Sequence, residues 1–257
     1  MSNKTVYGTG TDGHIYSSWL KCANERDVLE DVLRKRSNEW LQSSPLSMLE
    51  VGCGTGAAAK RLFKVLDEHN VQIQYTGIEP RKEQLELFQN TSTPSLSIEL
   101  IESTLESFQS KQIYDLGIIV HSLYYVDSME ETIKKLRSLT QKQLIVHHGK
   151  RGINEIHQEF KEFVPHGPHL ISTIDDVCKS LDKINIQYHR EVYPTEVDVR
   201  PCHDPRNADG RNLIRFFLQR PDVSEDQIQE ISNYFRSRRI DTMIHDMGVI
   251  ITNASQK

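Results

Sequence analysis

The stretch Glu50-Val-Gly-Cys-Gly-Thr-Gly56 decides the fold of this chain of 257 residues. It lies between an apolar run, Leu46–Val51, and a stretch with helical spacing, Thr55–Leu66. Glycine lets the backbone turn tightly and approach a ligand closely, because it has no Cβ that would collide. The helix that follows also presents unpaired backbone N–H groups in its first turn. The stretch therefore predicts a strand-to-helix turn that binds a nucleotide-like ligand.

The segments around this turn alternate between strand and helix patterns. Five apolar or alternating runs predict strands: Leu46–Val51, Ile73–Ile78, Leu96–Ile101, Tyr114–Val120 and Leu144–His147. Three stretches with helical spacing separate them: Thr55–Leu66, Arg81–Phe88 and Ser128–Leu139. Strands and helices that alternate at this spacing predict an α/β fold with a doubly wound, mostly parallel, Rossmann-like sheet.

The regions on either side of this alternation predict additions to a nucleotide-binding core. We expect residues 1–45 to form an N-terminal helical segment that acts as a substrate lid, and residues 46–150 to form the cofactor-binding core. Residues 151–257 are expected to add a smaller helical and β substrate lobe. They also contain two runs that predict C-terminal strands completing the sheet, Ile186–Tyr193 and Met247–Thr252.

Two carboxylates flank the glycines and define the ligand more closely. Glu50 stands directly before them, and Glu79 ends the next predicted strand. A carboxylate at that strand end can accept both hydroxyls of a ribose, and a carboxylate ahead of the glycines can receive an amino group. This combination favours S-adenosylmethionine and a methyltransferase over a nicotinamide dehydrogenase, whose fingerprint is GxGxxG. The dehydrogenase stays open as an alternative, as do glycines that serve only a tight turn.

A third motif, Val120-His-Ser-Leu-Tyr-Tyr-Val126, follows the apolar run Tyr114–Val120. In an open parallel sheet the ligand binds beyond the carboxyl ends of the strands. The residues expected to face it are Val120, His121, Tyr124 and Tyr125. Adjacent tyrosines point in different directions, so one can line a pocket while the other packs. A structural role for both tyrosines is the alternative.

Four sequence blocks carry a family resemblance. They are Glu79-Pro-x-x-Glu-Gln84, Asp115 through Leu123-Tyr-Tyr-Val126, Ile171-Ser-Thr-Ile-Asp-Asp176 and Asp209-Gly-x-Asn-Leu-x-x-Phe-Phe-Leu218. With them, most of the chain resembles the histamine N-methyltransferase family. The resemblance implies a two-lobed methyltransferase fold, with S-adenosylmethionine in the larger lobe and an aromatic pocket for a small amine beside it.

The resemblance also implies roles for single residues. Glu25 takes the place of an acidic residue that grips the substrate's ammonium, and His245 that of an amide that holds the substrate ring. The family's tryptophans on the helix after the fifth strand are replaced here by Ile153 and His157. Thr104 is an implied cofactor contact, for which Ser103 matches as well. Motifs and resemblance together give the expected cofactor site: Glu50, Gly52, Gly54, Gly56, Glu79, Gln84, Thr104, Val120 and His121.

These assignments predict an N-methyltransferase that acts on a small amine, histamine or a related imidazole or aryl amine, by direct in-line transfer. The expected catalytic residues are Glu25, Tyr124 and His245. The expected substrate contacts are Tyr16, Trp19, Glu25, Tyr124, Tyr125, Phe217 and His245. Two alternatives stay open: a small-molecule O-methyltransferase with His121 or His245 as base, and a non-catalytic cofactor-binding protein of the same fold.

Composition excludes several other classes of function. The formal net charge is −5, so neither a strongly basic face nor nucleic acid as a partner is expected. No apolar run approaches the length of a membrane span. The four cysteines form no CxxC pair, which suits a reducing cytoplasm. No histidines stand at a metal-ligand spacing such as HExxH, so no metal is expected. We expect a cytoplasmic monomer without an obligate protein partner.

Overall fold

The computed structural model describes residues 13–37, 45–88, 95–167 and 169–253. The strands among them are β1 Leu46–Val51, β2 Ile73–Glu79, β3 Leu96–Glu102, β4 Tyr114–Val120, β5 Thr140–His148, β6 Tyr188–Asp198 and β7 Thr242–Thr252. They form one sheet in the order β3-β2-β1-β4-β5-β7-β6. Strands β1 to β5 are parallel, and β7 runs antiparallel to both β5 and β6. The predicted doubly wound, mostly parallel sheet is confirmed.

The helices of the described residues flank this sheet. They are α1 Gly13–Cys22, α2 Glu25–Arg36, α3 Ala57–Asp67, α4 Lys82–Glu86, α5 Met129–Leu139, α6 Ile153–Glu159, α7 Ile174–Lys183, α8 Ala208–Phe217 and α9 Glu225–Ser237. The sequence patterns predict α3, α4 and α5 individually. The helices α2 and α6 to α9 fall in the two regions expected to contain helices, and α1 has the weakest pattern of its own. Its apolar face reduces to Ile15 and Trp19, four residues apart and both buried, which is too short a pattern to stand out.

Three groups of buried apolar side chains hold the molecule together. One face of the sheet packs against α2 and α3, and the other packs against α5 and α7. The third group lies among α1, α6, α8 and α9, with Val197 of β6 and Met243 of β7. This group makes the smaller helical and β lobe, beside the carboxyl ends of the parallel strands.

A buried carboxylate fastens α2 to α3. Glu30 accepts hydrogen bonds from Lys64, Arg61 and Arg34 at 2.6, 2.7 and 2.9 Å. Chiefly through Lys64, these bonds lower the pKa of the Glu30 carboxyl to about 2, against the effect of burial. Because α2 begins at Glu25, this attachment also sets the position of the Glu25 side chain.

The predicted substrate lid falls partly on stretches of the chain that are not described. Of residues 1–45, residues 1–12 and 38–44 lie outside the described residues, so the lid stays a prediction. The described part contains α1 and α2, whose side chains contribute to the site below. No helix in the described ranges is both long and apolar enough to cross a membrane.

Candidate active site

A cavity of about 490 Å³ opens at the carboxyl ends of β1, β2 and β4. Strands β1 and β4 are neighbours at the point where the strand order reverses, which is where open α/β sheets bind ligands. One wall, the glycine end, consists of Glu50, Gly52, Gly54, Glu79 and Gln84. A second part of the wall, the histidine end, consists of Tyr16, Trp19, Glu25, His121, His148 and Phe216. A single cavity can therefore hold two molecules side by side.

The glycine turn needs its glycines for geometric reasons. Gly52 and Gly54 have φ angles of +70° and +53°, in the left-handed region that other residues rarely adopt. A Cβ on Gly52 would also lie 2.6 Å from the Cβ of Ser122. Gly56 has a φ of +77°, but it packs against the ring of Phe88 and does not line the cavity. The expected ligand contact of Gly56 is therefore corrected to a role in the start of α3.

Glu50 lies buried beneath the glycine turn. The Tyr75 hydroxyl donates a hydrogen bond to its Oε2 at 2.5 Å. Burial raises the pKa of the Glu50 carboxyl to about 7, although the Tyr75 hydrogen bond and the Arg26 guanidinium both lower it. Near neutral pH this carboxyl can ionise beside an incoming ammonium group, as the sequence predicts for the cofactor's amino group.

Glu79 ends β2 and lies at the same wall. The Gly54 N–H donates to its Oε2 at 3.3 Å, and the Arg81 N–H donates to its Oε1 at 3.1 Å. Burial raises the pKa of the Glu79 carboxyl, while these N–H bonds oppose the rise. Gln84 of α4 is buried beside it and also lines the cavity. The carboxylate thus occupies the position where the sequence predicts contacts to a ribose.

The remaining expected cofactor contacts lie on the same cavity. Thr104 lines it, and so do Val120 and His121. Ser103, the alternative match for Thr104, lines it too. The fold therefore brings every expected cofactor residue except Gly56 to one cavity.

Glu25 is the first residue of α2, and its side chain is only 1% exposed although it reaches the cavity wall. Its Oε1 lies 3.2 Å from Nε2 of His121, and its Oε2 lies 3.2 Å from Nε2 of His245. Burial alone would raise the pKa of the Glu25 carboxyl. The two histidine rings and the Arg26 guanidinium outweigh burial and hold that pKa well below its usual range. Glu25 is therefore a buried negative charge.

The neighbours of His121 fix its tautomer. The nitrogen Nε2 faces the Glu25 carboxylate, so it carries the proton of the neutral ring. Burial favours that neutral form by lowering the pKa of His121, although Glu25 raises it. Its Nδ1 is then an acceptor, and the Tyr124 hydroxyl lies 3.2 Å away to donate to it. The same hydroxyl accepts a hydrogen bond from the backbone N–H of His148 at 2.7 Å. Neither nitrogen of His121 is left as a free base.

The two adjacent tyrosines have different roles. Tyr125 lines the cavity, is 53% exposed and donates a hydrogen bond from its hydroxyl to Oε1 of Gln219 at 2.7 Å. Tyr124 is buried and stacks on His147 and His148, with ring centroids 4.0 and 4.7 Å away. It does not line the cavity. The expected substrate contact of Tyr124 is therefore corrected: its hydroxyl positions His121.

Aromatic side chains form one part of the histidine end, the aromatic wall. Trp19 and Phe216 stack with ring centroids 4.7 Å apart, and the Tyr16 ring stacks 6.1 Å from that of Phe216. The expected contact of Phe217 is corrected, because α8 turns this neighbour away from the cavity into the helical core. The backbone carbonyl of Phe217 accepts a hydrogen bond from Nε2 of His157 at 2.5 Å, which places His157 behind the wall as well.

His245 lies behind Glu25 and not on the cavity wall. Its side chain is fully buried, and its Nε2 is 3.1 Å from Nδ1 of His148. Gly152 passes close to the ring, where a Cβ would lie 2.7 Å from Nδ1 of His245. The expected direct hold on a substrate ring is therefore corrected to a supporting contact with Glu25.

The cavity residues that the sequence does not single out include Arg26, His148 and Phe216. The Arg26 guanidinium lies 3.4 Å from the Glu25 carboxylate and donates to the Tyr16 hydroxyl at 3.2 Å. Because it also lowers the pKa of Glu50, it places a positive charge near the glycine end, where it suits a carboxylate. The sequence signal that could have identified His148 as a cavity residue is its position at the carboxyl end of β5, because the carboxyl ends of parallel strands face the ligand.

Comparisons with known proteins agree with this architecture. Residues 49–143 match a family described as a methyltransferase domain. No curated protein sequence gives a significant match. Solved structures with a similar fold include the plantazolicin methyltransferase BpumL in complex with SAH, with a TM-score of 0.55 at 14% identity, covering 96% of this chain and 93% of that one.

Two further structures have the same fold. Magnesium protoporphyrin IX methyltransferase from Synechocystis PCC 6803 has a TM-score of 0.54 at 11% identity, covering 96% of this chain and 90% of that one. Coclaurine N-methyltransferase has a TM-score of 0.51 at 13% identity, covering 87% of this chain and 72% of that one. At these identities the likeness shows the fold alone.

Fold, glycine turn and domain match together define the class of the protein, which is an S-adenosylmethionine-dependent methyltransferase. The groups at the glycine end fit the cofactor by their chemistry. Glu79 suits the ribose hydroxyls and Glu50 the ammonium of the amino-acid portion. Arg26 suits its carboxylate.

Proposed function

We propose that this protein is an N-methyltransferase that acts on a small cationic amine, histamine or a related imidazole or aryl amine. The observation that carries the proposal is the buried, ionised carboxylate of Glu25, which lines the same cavity as the glycine turn. The resemblance to histamine N-methyltransferases adds the choice of amine. The solved structures of similar fold add nothing to that choice.

The electrostatics of the histidine end favour a cation. A buried carboxylate is costly unless it is paired. Burial lowers the pKa of the neighbouring His121 although Glu25 raises it, which weakens the pairing that this ring offers. The Arg26 guanidinium lies 3.4 Å from Oε1 of Glu25. The other oxygen, Oε2, lies beside His245. An ammonium group bound at Oε2 would neutralise the remaining negative charge of the carboxylate.

The aromatic wall favours a flat or cationic acceptor. Trp19 and Phe216 form a stacked pair, with Tyr16 beside it on the same wall. Aromatic faces hold a cation with about 0.5–2 kcal/mol per contact, and they also accommodate a planar ring. An acceptor with an imidazole or aryl ring and an ammonium fits both features.

The chain's own groups supply position and a dry environment. S-adenosylmethionine, when bound, supplies a methyl group already activated on a sulfonium sulfur. The aromatic wall and Glu25 would hold the acceptor nitrogen in line with that methyl, and such positioning contributes on the order of 7–11 kcal/mol. A neutral ring nitrogen attacks with its own lone pair while the side-chain ammonium stays on Glu25. The proton that the methylated nitrogen loses passes to solvent.

The O-methyltransferase alternative needs a histidine base, and the geometry disfavours His121 in that role. Its Nε2 proton faces Glu25 and its Nδ1 faces the Tyr124 hydroxyl. A base must offer a lone pair within hydrogen-bond reach of the acceptor hydroxyl. His245 is fully buried behind Glu25, so it cannot reach an acceptor directly either.

Incubation with labelled cofactor and an amine panel tests the proposal. The panel contains histamine, other imidazole and aryl amines, and a neutral alcohol of matched shape for each. We expect methyl transfer to a nitrogen of a cationic member, with the matched alcohols inactive. Methylation of a hydroxyl would overturn the proposal in favour of the O-methyltransferase. Tight cofactor binding without turnover on any member would favour a non-catalytic protein.

A further inference from the structure

Four side chains from distant parts of the chain meet at the inner end of the cavity, and we name them the histidine cluster: Glu25, His121, His148 and His245. Glu25 begins α2, His121 follows β4, His148 ends β5 and His245 lies within β7. Nε2 of His245 is 3.2 Å from Oε2 of Glu25 and 3.1 Å from Nδ1 of His148. Three potential metal ligands thus lie side by side.

The orientation of these groups is as informative as the distances. Neither carboxylate oxygen of Glu25 makes an aligned hydrogen bond with any described residue, although ring nitrogens lie 3.2 Å from each. A buried carboxylate normally accepts aligned hydrogen bonds. Nδ1 of His148 and Nε2 of His245, by contrast, form a hydrogen bond at 3.1 Å. Of the three groups, the Glu25 carboxylate is therefore the one without an aligned partner.

The chemistry of the set suits a divalent transition metal. Two imidazole nitrogens and a carboxylate oxygen are ligands that Zn²⁺ accepts at about 2.0–2.2 Å. Neighbouring ligands of a tetrahedral Zn²⁺ then lie about 3.3 Å apart, close to the observed separations. A metal requires neutral imidazoles, and burial lowers the pKa of His148 well below its usual range. In the described chain, Glu25, His148 and His245 are also the group whose ligand atoms all lie within 4.8 Å of one another.

The surroundings of the three ligands are consistent with such a site. Oε1 of Glu25 faces Arg26 and His121, which leaves Oε2 for the side of His245. His121 would then hold the ligand carboxylate from behind, as the outer partners of metal ligands commonly do. Glu25 and His148 border the cavity, so an ion can enter from it. The spacing of histidines along the sequence does not reveal this site, because its three ligands come from three separate elements of the fold.

We propose that Oε2 of Glu25, Nδ1 of His148 and Nε2 of His245 bind a divalent first-row transition metal ion. We further infer that the ion blocks methylation, because it and the acceptor's ammonium neutralise the same carboxylate. This second step rests on the proposed function, whereas the binding of the ion does not. The cavity therefore holds either a metal ion or a cationic acceptor.

Cobalt titration of chelator-treated protein tests the site without an activity assay. We expect one equivalent of Co²⁺ to bind, with visible ligand-field absorption bands of a four-coordinate ion, and Zn²⁺ to displace it. His245→Asn and His148→Asn should each weaken binding about 100-fold, at least as much as the loss of an outer partner. Circular dichroism confirms that each variant is folded, and the two variants together cover the case in which one of them is not.

A surface pair provides the matched control. His189 lies 3.4 Å from Glu191 on exposed β6, so His189→Asn removes a histidine beside a carboxylate elsewhere. We expect this variant to bind cobalt as the wild type does. Absence of a stoichiometric cobalt complex in the wild type would overturn the site. Loss of cobalt binding in His189→Asn, with binding kept in His148→Asn and His245→Asn, would overturn it too.

Zinc titration of amine methylation separates the two proposals. We expect Zn²⁺ to inhibit, with inhibition relieved by excess amine. A metal that binds at this site and leaves methylation unchanged overturns the blocking step and also counts against an ammonium on Glu25. Methylation that depends on Glu25 in a protein that binds no metal overturns the metal site and leaves the proposed function intact.

Discussion

The two ends of the cavity are built in opposite ways. The glycine end comes from one continuous turn, Glu50 to Gly56, and from the end of the next strand at Glu79. The histidine end collects Glu25 from the N-terminal region, His148 from the centre of the sheet and support from His245 near the C-terminus. The cofactor half is thus local in sequence, while the acceptor half exists only in the folded chain.

Cofactor binding and acceptor binding can therefore be lost separately. A change in the glycine turn acts on a rigid backbone feature and should abolish cofactor binding. A change in the histidine end should alter the acceptor while the cofactor still binds. The experiments below test whether the separation holds.

The largest effect is expected from Gly52→Ala. The new Cβ would meet Ser122 at 2.6 Å, and the φ of +70° disfavours any side chain. Backbone strain of about 1–3 kcal/mol together with this collision should weaken SAH binding about 100-fold or more in calorimetry. Gly167→Ala is the control, because its nearest neighbour would be 3.4 Å away. Equal affinity in the two variants would contradict the assigned role of the turn.

The pH dependence of cofactor binding tests Glu50. Its pKa of about 7 means that the carboxyl becomes charged as pH rises toward 7, while the cofactor's amino group stays protonated below about 7.7. Affinity should therefore increase by up to about tenfold per pH unit between pH 5.5 and 7. Glu50→Gln should flatten this profile, and Glu99→Gln, on the exposed side of β3, should retain it. A flat wild-type profile would refute the contact.

Tyr124→Phe should change catalysis and spare the cofactor. It removes the hydroxyl that fixes the His121 tautomer and accepts the His148 N–H. A hydrogen bond of about 1–1.5 kcal/mol predicts a fall in kcat/KM for the amine of about tenfold. The dissociation constant for SAH should not move. Tyr234→Phe, on α9 away from the cavity, is the control. If Tyr124→Phe lost as much SAH affinity as it loses in kcat/KM, the two ends of the cavity would not be independent.

The smallest effect concerns the attachment of α2. Glu30→Gln should lower the free energy of unfolding by about 1–2 kcal/mol at pH 7, since all three cationic partners are more than a third exposed and solvent screens their attraction. A carboxylate whose folded pKa is depressed stabilises the fold above its unfolded pKa of about 4.3 and loses that contribution as pH falls. With a folded pKa of about 2, the difference should vanish between about pH 4.3 and 2. Denaturant titration measures it, with Glu86→Gln as the exposed control.

The sequence carries the cofactor half almost completely. Backbone signals such as Gly52 and Gly54, and the strand end at Glu79, act within a few residues of chain, so spacing alone reveals them. Helix starts are equally local: the Ser128 hydroxyl, at the first residue of the predicted helix Ser128–Leu139, accepts the Glu131 N–H at 3.3 Å. Gly56 is the exception, because only the fold shows that Phe88 fills the space beside it.

The acceptor half is less accessible from sequence for a physical reason. Which of two adjacent aromatic residues faces the cavity depends on how a helix or turn docks, and this reverses the expectation for Phe216 and Phe217. The same holds for Tyr124, whose hydroxyl turns inward to His121 and the His148 backbone. His148 and His245 become neighbours only because β7 pairs antiparallel with β5, a pairing that no local pattern encodes.

The most direct test of the account is the charge preference of the acceptor in Glu25→Gln. The ratio of kcat/KM for a cationic amine to that for its neutral isostere is measured in the wild type and in the variant. Asp27→Asn, exposed on the same helix, is the control. A buried charge pair is worth about 2–5 kcal/mol, so we predict that the ratio falls at least about 30-fold in Glu25→Gln while SAH affinity is unchanged. A ratio that stays at the wild-type value would contradict the assignment of Glu25 as the residue that selects the acceptor.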